Sequence, residues 1–370
     1  MKICVYTICK NELQFIERYL EHLKDADLIH ISDTGSTDGT WEKLNSLLPQ
    51  YPNLVVDQIS VTPWRFDVAR NQQLDKIYEM NENEKNDWMY FQVDIDEYPS
   101  IGWYSDIQNA ILQYPYINRA TYRYCFNYFD NGTENIVFNA DKIHNYNYKW
   151  INAVHEVLVN TSKCIESSIH ISGFTLEHHS IYKERRKTYL ELLKFSVDED
   201  PNNDRNLHYY GRELVYTGQY EEAIKYLKQH LTIGTWNQEL ASSCRYISES
   251  YINLNNYEQA ENYYKKGIEY SKDTREPYYW YCKFLYEHEK WLSLIKYANI
   301  AIQLINNNDS YIHQNEAYGP FFYDKLCLAY FYGENNRYKA LESAYCALGI
   351  AHITNDSEIK RYENNVKCCL

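Results

Sequence analysis

The second half of the chain repeats itself, and that periodicity limits what it can fold into. "YTGQYEEAIKYL" at 216–227 is answered by "NLNNYEQAENYY" at 253–264, so Tyr220 and Ala223 return 37 residues later as Tyr257 and Ala260. "EHEKWLSLIKYA" at 287–298 follows 34 residues on, with Trp291 in the aromatic place, and "GENNRYKALESA" at 333–344 closes the series after an insertion. A helical unit of this length buries its apolar face only by stacking on the next copy. Residues from about 200 to 353 are therefore expected to form the core of an array of stacked helix pairs.

The period, with an aromatic shortly before a helix and alanine three positions later in the first two copies, resembles tetratricopeptide repeats. Arrays of this kind commonly present concave peptide-binding surfaces, which implies a peptide or protein partner.

The first half has a different rhythm. "KICVYTICK" is a β-branched, apolar strand, and in "NELQFIERYLEHLKD" Leu13, Ile16, Leu20 and Leu23 recur at helical spacing. "DLIHISDTGSTDGTWEKLNSLL" repeats strand, turn and helix, with Thr37 or Asp38 placed to cap the helix. "NLVVDQISV", "DVARNQQLDKIYEM" and "DWMYFQVDID" continue the alternation. Strands alternating with helices imply βαβ units and a mainly parallel sheet. From about 118 to 180, short alternating runs predict antiparallel strands and loops added to that sheet. The expected class is α/β, a Rossmann-like domain over 1–185 followed by an all-α repeat domain over 186–370.

Open sheets of this kind bind ligands beyond the carboxyl ends of their strands. The ends to inspect are Thr7 to Glu12, Asp33 to Asp38, and Asp94 to Glu97. In "FQVDIDEYP" three carboxylates, Asp94, Asp96 and Glu97, follow an apolar run. Like charges so close repel unless water, a cation or a basic partner neutralises them. The D-x-D suits a hard divalent ion bridging two phosphates, and a solvated loop is the plainer alternative.

Charge narrows the partners. The net charge is -14, with 14 basic against 25 acidic residues in 1–180 and 23 against 26 beyond. Such a balance argues against nucleic acid as the main partner. No stretch approaches the roughly 20 apolar residues of a membrane span, so no stable membrane insertion is expected. "MKICVYTICKNE" lacks the apolar core of a signal peptide, and the ten cysteines are scattered without a CxxC. Reduced thiols in a cytoplasmic protein fit that usage, with neither a disulfide framework nor a zinc site.

"TICKNE", "SDTGSTDGT", "PWRFDVARN", the D-x-D and "WINAVHE" occur in the order seen in family-two glycosyltransferases of the GT-A fold, which the chain resembles from residue 1 to about 180. With the appended repeats it is similar to bacterial members that glycosylate peptide cysteines. The resemblance implies an inverting, metal-dependent transfer of a hexose or N-acetylhexosamine from a UDP-sugar donor to a peptide or protein acceptor. A lipid-linked or polysaccharide acceptor, or a non-catalytic repeat scaffold, is the alternative, and a homodimer through exposed tyrosines is a further expectation.

Residue by residue, the resemblance places Thr7, Lys10, Asn11 and Glu12 in the first nucleotide-contacting loop and gives Asp33 the uracil or ribose, with Ser36 beside it. A turn and helix cap at Asp33 and Ser36 is compatible with that reading. Arg70 and Asn71 order the nucleotide side, Arg70 donating to phosphate or to Asp94, with a surface ion pair as the alternative. Asp94, Asp96 and His178 are placed around Mn²⁺ or Mg²⁺, although the family's glycine after that histidine is Ser180 here. Glu156, ahead of His155, is the expected base for the acceptor proton, and packing of Trp150 and His155 is the competing account.

Overall fold

The computed structural model describes residues 1–129, 132–163, 165–179, 186–304, 313–354 and 356–370. Ser180 lies outside them. The chain forms two compact units, Met1–Arg185 and Arg186–Leu370.

The first unit runs β1 (Lys2–Cys9), α1 (Ile16–Leu23), β2 (Leu28–Asp33), α2 (Thr40–Leu47), β3 (Leu54–Gln58), α3 (Phe66–Met80), β4 (Trp88–Gln92) and β5 (Glu97–Pro99). It continues with α4 (Trp103–Gln113), β6 (Arg119–Tyr128), β7 (Glu134–His144), β8 (Tyr148–Ile151), β9 (Val157–Asn160) and β10 (Ser168–His178). Eight strands make one sheet in the order β3-β2-β1-β4-β7-β6-β10-β5, and β8 pairs with β9 apart from it. Strands β3, β2, β1 and β4 are mutually parallel.

Both faces of this parallel region are covered, which is why its strands are nearly continuous apolar runs. In β1, Ile3 and Val5 join a core with Ile16 and Leu20 of α1, Leu44 of α2 and Ile107 of α4. Cys4 and Tyr6, pointing the other way, pack with Leu74 and Ile77 of α3 and with Tyr148 and Trp150 of β8.

Three local expectations need correcting. Leu13 is exposed because α1 begins only at Ile16. Gly39, in the left-handed region at φ 95°, takes the cap position of α2, and Asp38 one residue earlier accepts from the Thr40 amide. In the added strands, β7 is antiparallel to both β4 and β6 as expected, but β10 runs parallel to β6.

The second unit is helical: α5 (Arg186–Glu199), α6 (Asp204–Tyr216), α7 (Tyr220–Ile233), α8 (Asn237–Asn253), α9 (Tyr257–Tyr270), α10 (Glu276–Glu287), α11 (Trp291–Ala301), α12 (Phe321–Tyr332), α13 (Arg337–Thr354) and α14 (Ile359–Cys369). The repeating aromatics Tyr220, Tyr257 and Trp291 are the first residues of α7, α9 and α11. Three positions on, Ala223, Ala260 and Leu294 are fully buried, as is Ala340 in α13. Alanine at three of these four positions lets the two helices of a pair approach. Gly211 of α6 does the same from the facing helix, since a Cβ on it would sit 2.5 Å from Leu227 Cγ of α7.

Candidate functional site

The three strand ends singled out from the sequence lie side by side, because β2, β1 and β4 are neighbours in the sheet. The loop after β1 and the loop after β2 are tied together. Asn11, at φ 59°, donates its amide to Ser36 Oγ at 2.8 Å and accepts at Oδ1 from the Thr37 amide at 2.8 Å. The Glu12 amide donates to Thr40 Oγ1 at 2.9 Å. Asp33 is fully buried, and its Oδ1 accepts from the amides of Gly35 and Ser36, so its carboxylate shapes the turn. Thr7 is also fully buried and its carbonyl accepts from Gln73 Nε2 at 2.6 Å, whereas Lys10 is exposed at the end of the strand.

On α3 the buried positions Arg70, Gln73, Leu74 and Ile77 fall on one helical face, which places two polar side chains inward. Each hydrogen-bonds to partners distant in sequence, while Arg70 Nη1 and Gln73 Oε1 are buried without one. Arg70 donates from Nε to Glu156 Oε1 at 2.6 Å and from Nη2 to Asp94 Oδ1 at 2.9 Å, with its guanidinium over the Trp150 ring. Asn71 grips the Trp150 backbone twice, donating to its carbonyl at 2.8 Å and accepting from its amide at 2.9 Å. The segment leading to His155 and Glu156 is thereby fastened to α3, and His155 itself adopts φ 52°.

The three carboxylates after β4 have three different environments. Burial works against the Asp94 charge, but Arg70 and then Lys142 outweigh it and hold the carboxyl well below its ordinary range. Asp94 Oδ2 is 3.4 Å from Lys142 Nζ, and Gln92 Nε2 donates to Oδ1 at 2.9 Å. Glu97 closes the turn, accepting from the Asp94 amide at 2.8 Å and from Tyr124 Oη at 2.6 Å. Burial lifts the Glu97 carboxyl above its usual value against the pull of Lys142. Two neighbouring carboxyls are thus driven apart, Asp94 ionised and Glu97 the readier to hold a proton.

Asp96 faces His178. Its Oδ2 is 3.4 Å from His178 Nε2, and His178 Nδ1 lies 3.0 Å from the Phe126 carbonyl. Donation from Nδ1 to that carbonyl leaves Nε2 either a second N–H or a lone pair aimed at a carboxylate. Two acceptors at this separation need a proton or a cation between them. Burial opposes charging of His178, but the hydrogen bond and the charge of Asp96 prevail and raise its pKa to about 9.

The same geometry is what a metal-bound imidazole needs, with the other ring nitrogen held by a carbonyl. Asp96 and His178 therefore fit a divalent cation, whereas both Asp94 oxygens already face Arg70, Gln92 and Lys142. Among the described residues no group of three or more His, Cys, Asp and Glu is arranged to hold a metal. A cation on the Asp96 and His178 pair would take its remaining ligands from substrate phosphate and water, as Mg²⁺ commonly does.

Lys142 and Tyr124 were missed in the sequence. A lone lysine inside the strand text "NIVFNADKI" was the available signal, and its partners lie about 45 positions away in the chain. A surface depression bordered by Glu21, Asp25, Tyr51 and Asn53 lies where β2 and β3 begin, at the other end of the sheet from these groups.

Comparison with known proteins bears on the helical unit. Residues 247–274 match the tetratricopeptide repeat model, so α8 and α9 contain a repeat of that family. Among solved structures, MamA is 17% identical with a TM-score of 0.38 over 47% of this chain and 99% of that one. YrrB, described as a tetratricopeptide protein with an unusual peptide-binding site, is 15% identical with a TM-score of 0.36 over 49% and 84%. A thermophilic tetratricopeptide protein of Thermus thermophilus is 16% identical with a TM-score of 0.34 over 49% and 91%. A search of curated proteins returns no match. No helix among the described residues is long and apolar enough to cross a membrane.

Proposed function

We propose that the chain is an inverting, metal-dependent glycosyltransferase of GT-A type, moving a hexose or N-acetylhexosamine from a UDP-sugar to a peptide or protein acceptor. The observation that carries this reading is the gathering of the Lys10 to Glu12 loop, the Asp33 to Asp38 loop and the D-x-D at the carboxyl ends of three adjacent parallel strands. That edge is where open α/β sheets take their ligands. The order of the sequence motifs supports the same assignment.

In this reading Asp33, Asn11 and Ser36 hold the nucleotide loops in shape, and Lys10 offers a charge to the donor. Asp96 and His178 hold the cation, which when bound offsets the charge of the diphosphate and makes it a better leaving group. Arg70 joins the donor side at Asp94 to the acceptor side at Glu156. The acceptor heteroatom bonds to the anomeric carbon, the bond to the diphosphate oxygen breaks with its electron pair going to UDP, and Glu156 or His155 takes the acceptor proton.

One observation favours the second reading, a repeat scaffold with a non-catalytic first unit. Arg70, Lys142 and His178 are close enough to neutralise the acidic cluster from within, so its presence does not demand a ligand. Thermal shift against a panel of nucleoside diphosphate sugars, with and without Mn²⁺, separates the two. Ligand that binds only the folded state must raise the melting temperature. A metal-dependent rise with one UDP-sugar, lost in Asp96→Ala, is the expected result. No rise with any donor would favour the scaffold.

A further inference from the structure

We infer that Cys327 and Cys369 form an oxidation site: a small-molecule disulfide links them, and the link locks α14 to α12. Their sulfurs lie 3.7 Å apart although 42 positions of chain separate them, and both side chains are buried.

The contact is set by the register of two helices. Arg361, Asn365 and Cys369 recur at four-residue steps along α14, and Asp324 and Cys327 are one turn apart on α12. Arg361 Nη1 donates to both oxygens of Asp324, at 3.0 and 2.9 Å, and Asn365 Nδ2 donates to Oδ1 at 2.9 Å. Asp324 is 1% exposed, so slipping out of this register would strand a buried charge. One turn further along each helix, the same register brings the two sulfurs together.

Little movement is then needed. A disulfide holds its sulfurs at about 2.0 Å, a closure that side-chain rotation can supply from contact distance. Access comes from the end of α14, because Cys369 is its last residue and helix ends open at low cost. Cys368, beside it, is already exposed.

The chemistry is thiol–disulfide exchange. The Cys369 thiolate, its proton given up to water, attacks one sulfur of the oxidant; that bond forms, the oxidant's S–S bond breaks, and one small thiolate leaves. The Cys327 thiolate then attacks the Cys369 sulfur and the second small thiolate leaves, so two protein thiols are oxidised and the oxidant is reduced to two thiols. Sulfur contact makes the second step intramolecular, and it outruns another exchange with the oxidant. Burial, and Cys369 beside it, push the Cys327 thiol up, so the reduced pair gains no thiolate stabilisation and the closed disulfide resists reduction. The site belongs to the repeat unit and is independent of the transferase reading.

The test exposes the full chain to oxidised glutathione at neutral pH, blocks the remaining thiols and maps tryptic peptides without reduction. Cleavage after Lys325 and Lys367 leaves Cys327 in 326–337 but puts Cys368 and Cys369 on one peptide, so the map is made in Cys368→Ser, with circular dichroism confirming its fold. The expected product is a link between the two peptides within one chain, abolished when Cys369→Ser is added. It should form about tenfold faster in the folded chain than in urea. Amide exchange through α14 should slow about tenfold on oxidation. A glutathione adduct left on either cysteine in place of the link, a link between two chains, or a link formed no faster in the folded chain than in urea would overturn the site. Unchanged exchange in α14 of the linked chain would overturn the lock.

Discussion

Arg70 and Glu156, 86 positions apart in the chain, meet through a 2.6 Å hydrogen bond, and the same guanidinium reaches Asp94 at 2.9 Å. Both ends of this bridge are acidic and Arg70 is only 5% exposed, so its charge is what lets two partly buried carboxylates lie close together. Removing one partner of a buried pair leaves the others uncompensated. Arg70→Met is expected to lose about 3 kcal/mol of stability. Combining it with Asp94→Asn should cost less than the two single changes together, a coupling that a double-mutant cycle by urea unfolding would measure. Additive losses would show that the bridge is not coupled.

Asn71 is expected to act on the same region through the backbone. Its amide makes two bonds to Trp150, and Asn71→Ala removes both while leaving a buried N–H and carbonyl without partners. The loss should be about 2 kcal/mol. Amide exchange should accelerate at Trp150 and through to Glu156, and unchanged protection there would refute the clamp.

These two residues show what the chain alone discloses. The alternation of strands and helices was readable because β1, β2 and β4 are buried on both faces and so stay apolar. The acidic turn and the ARN segment also stood out, since polar residues on an otherwise apolar face must have a reason. The contact of Arg70 with Asp94 was among the readings, but not that Glu156 and Lys142 join it. Lys142 comes from β7, and its place beside Asp94 and Glu97 follows from an antiparallel pairing with β4 that no local pattern announces. Asp33 forms the turn that its sequence allowed, bracing its own loop, and Thr7 is fully buried.

Two buried histidines should make stability fall in mild acid. Burial lowers His30 to about 4 and His144 to about 3, from an ordinary 6.5. Their folded-state values are depressed, so between these limits the unfolded chain binds more protons. Their contribution is complete above about pH 6.5 and is lost as pH falls toward the folded values. At pH 5 each should cost about 2 kcal/mol relative to neutral pH. His144 Nε2 lies 2.7 Å from Tyr6 Oη and Nδ1 lies 2.7 Å from the Asn145 carbonyl. His144→Gln offers a replacement acceptor without the titration, so its unfolding free energy should fall less between pH 7 and pH 5 by about 2 kcal/mol. An equal fall in parent and variant would mean that His144 is not the source.

Two glycines in the repeat unit should respond in opposite directions to the same substitution. Gly333 follows α12 where the chain crosses α11, and a Cβ there would lie 2.3 Å from Trp291 Cβ and 2.7 Å from the Ala329 carbonyl. Neither neighbour is the free end of a flexible side chain, so Gly333→Ala must shift a helix and is expected to cost about 1–3 kcal/mol. Gly349 lies within α13, exposed, with nothing within 4 Å of the added carbon. There alanine meets no obstacle and restricts the unfolded chain, so Gly349→Ala should gain about 0.5–1 kcal/mol. Melting curves of the two variants beside the parent give the comparison. If both substitutions shifted the midpoint the same way, the close approach of Gly333 to Trp291 would not be what holds α11 against α12.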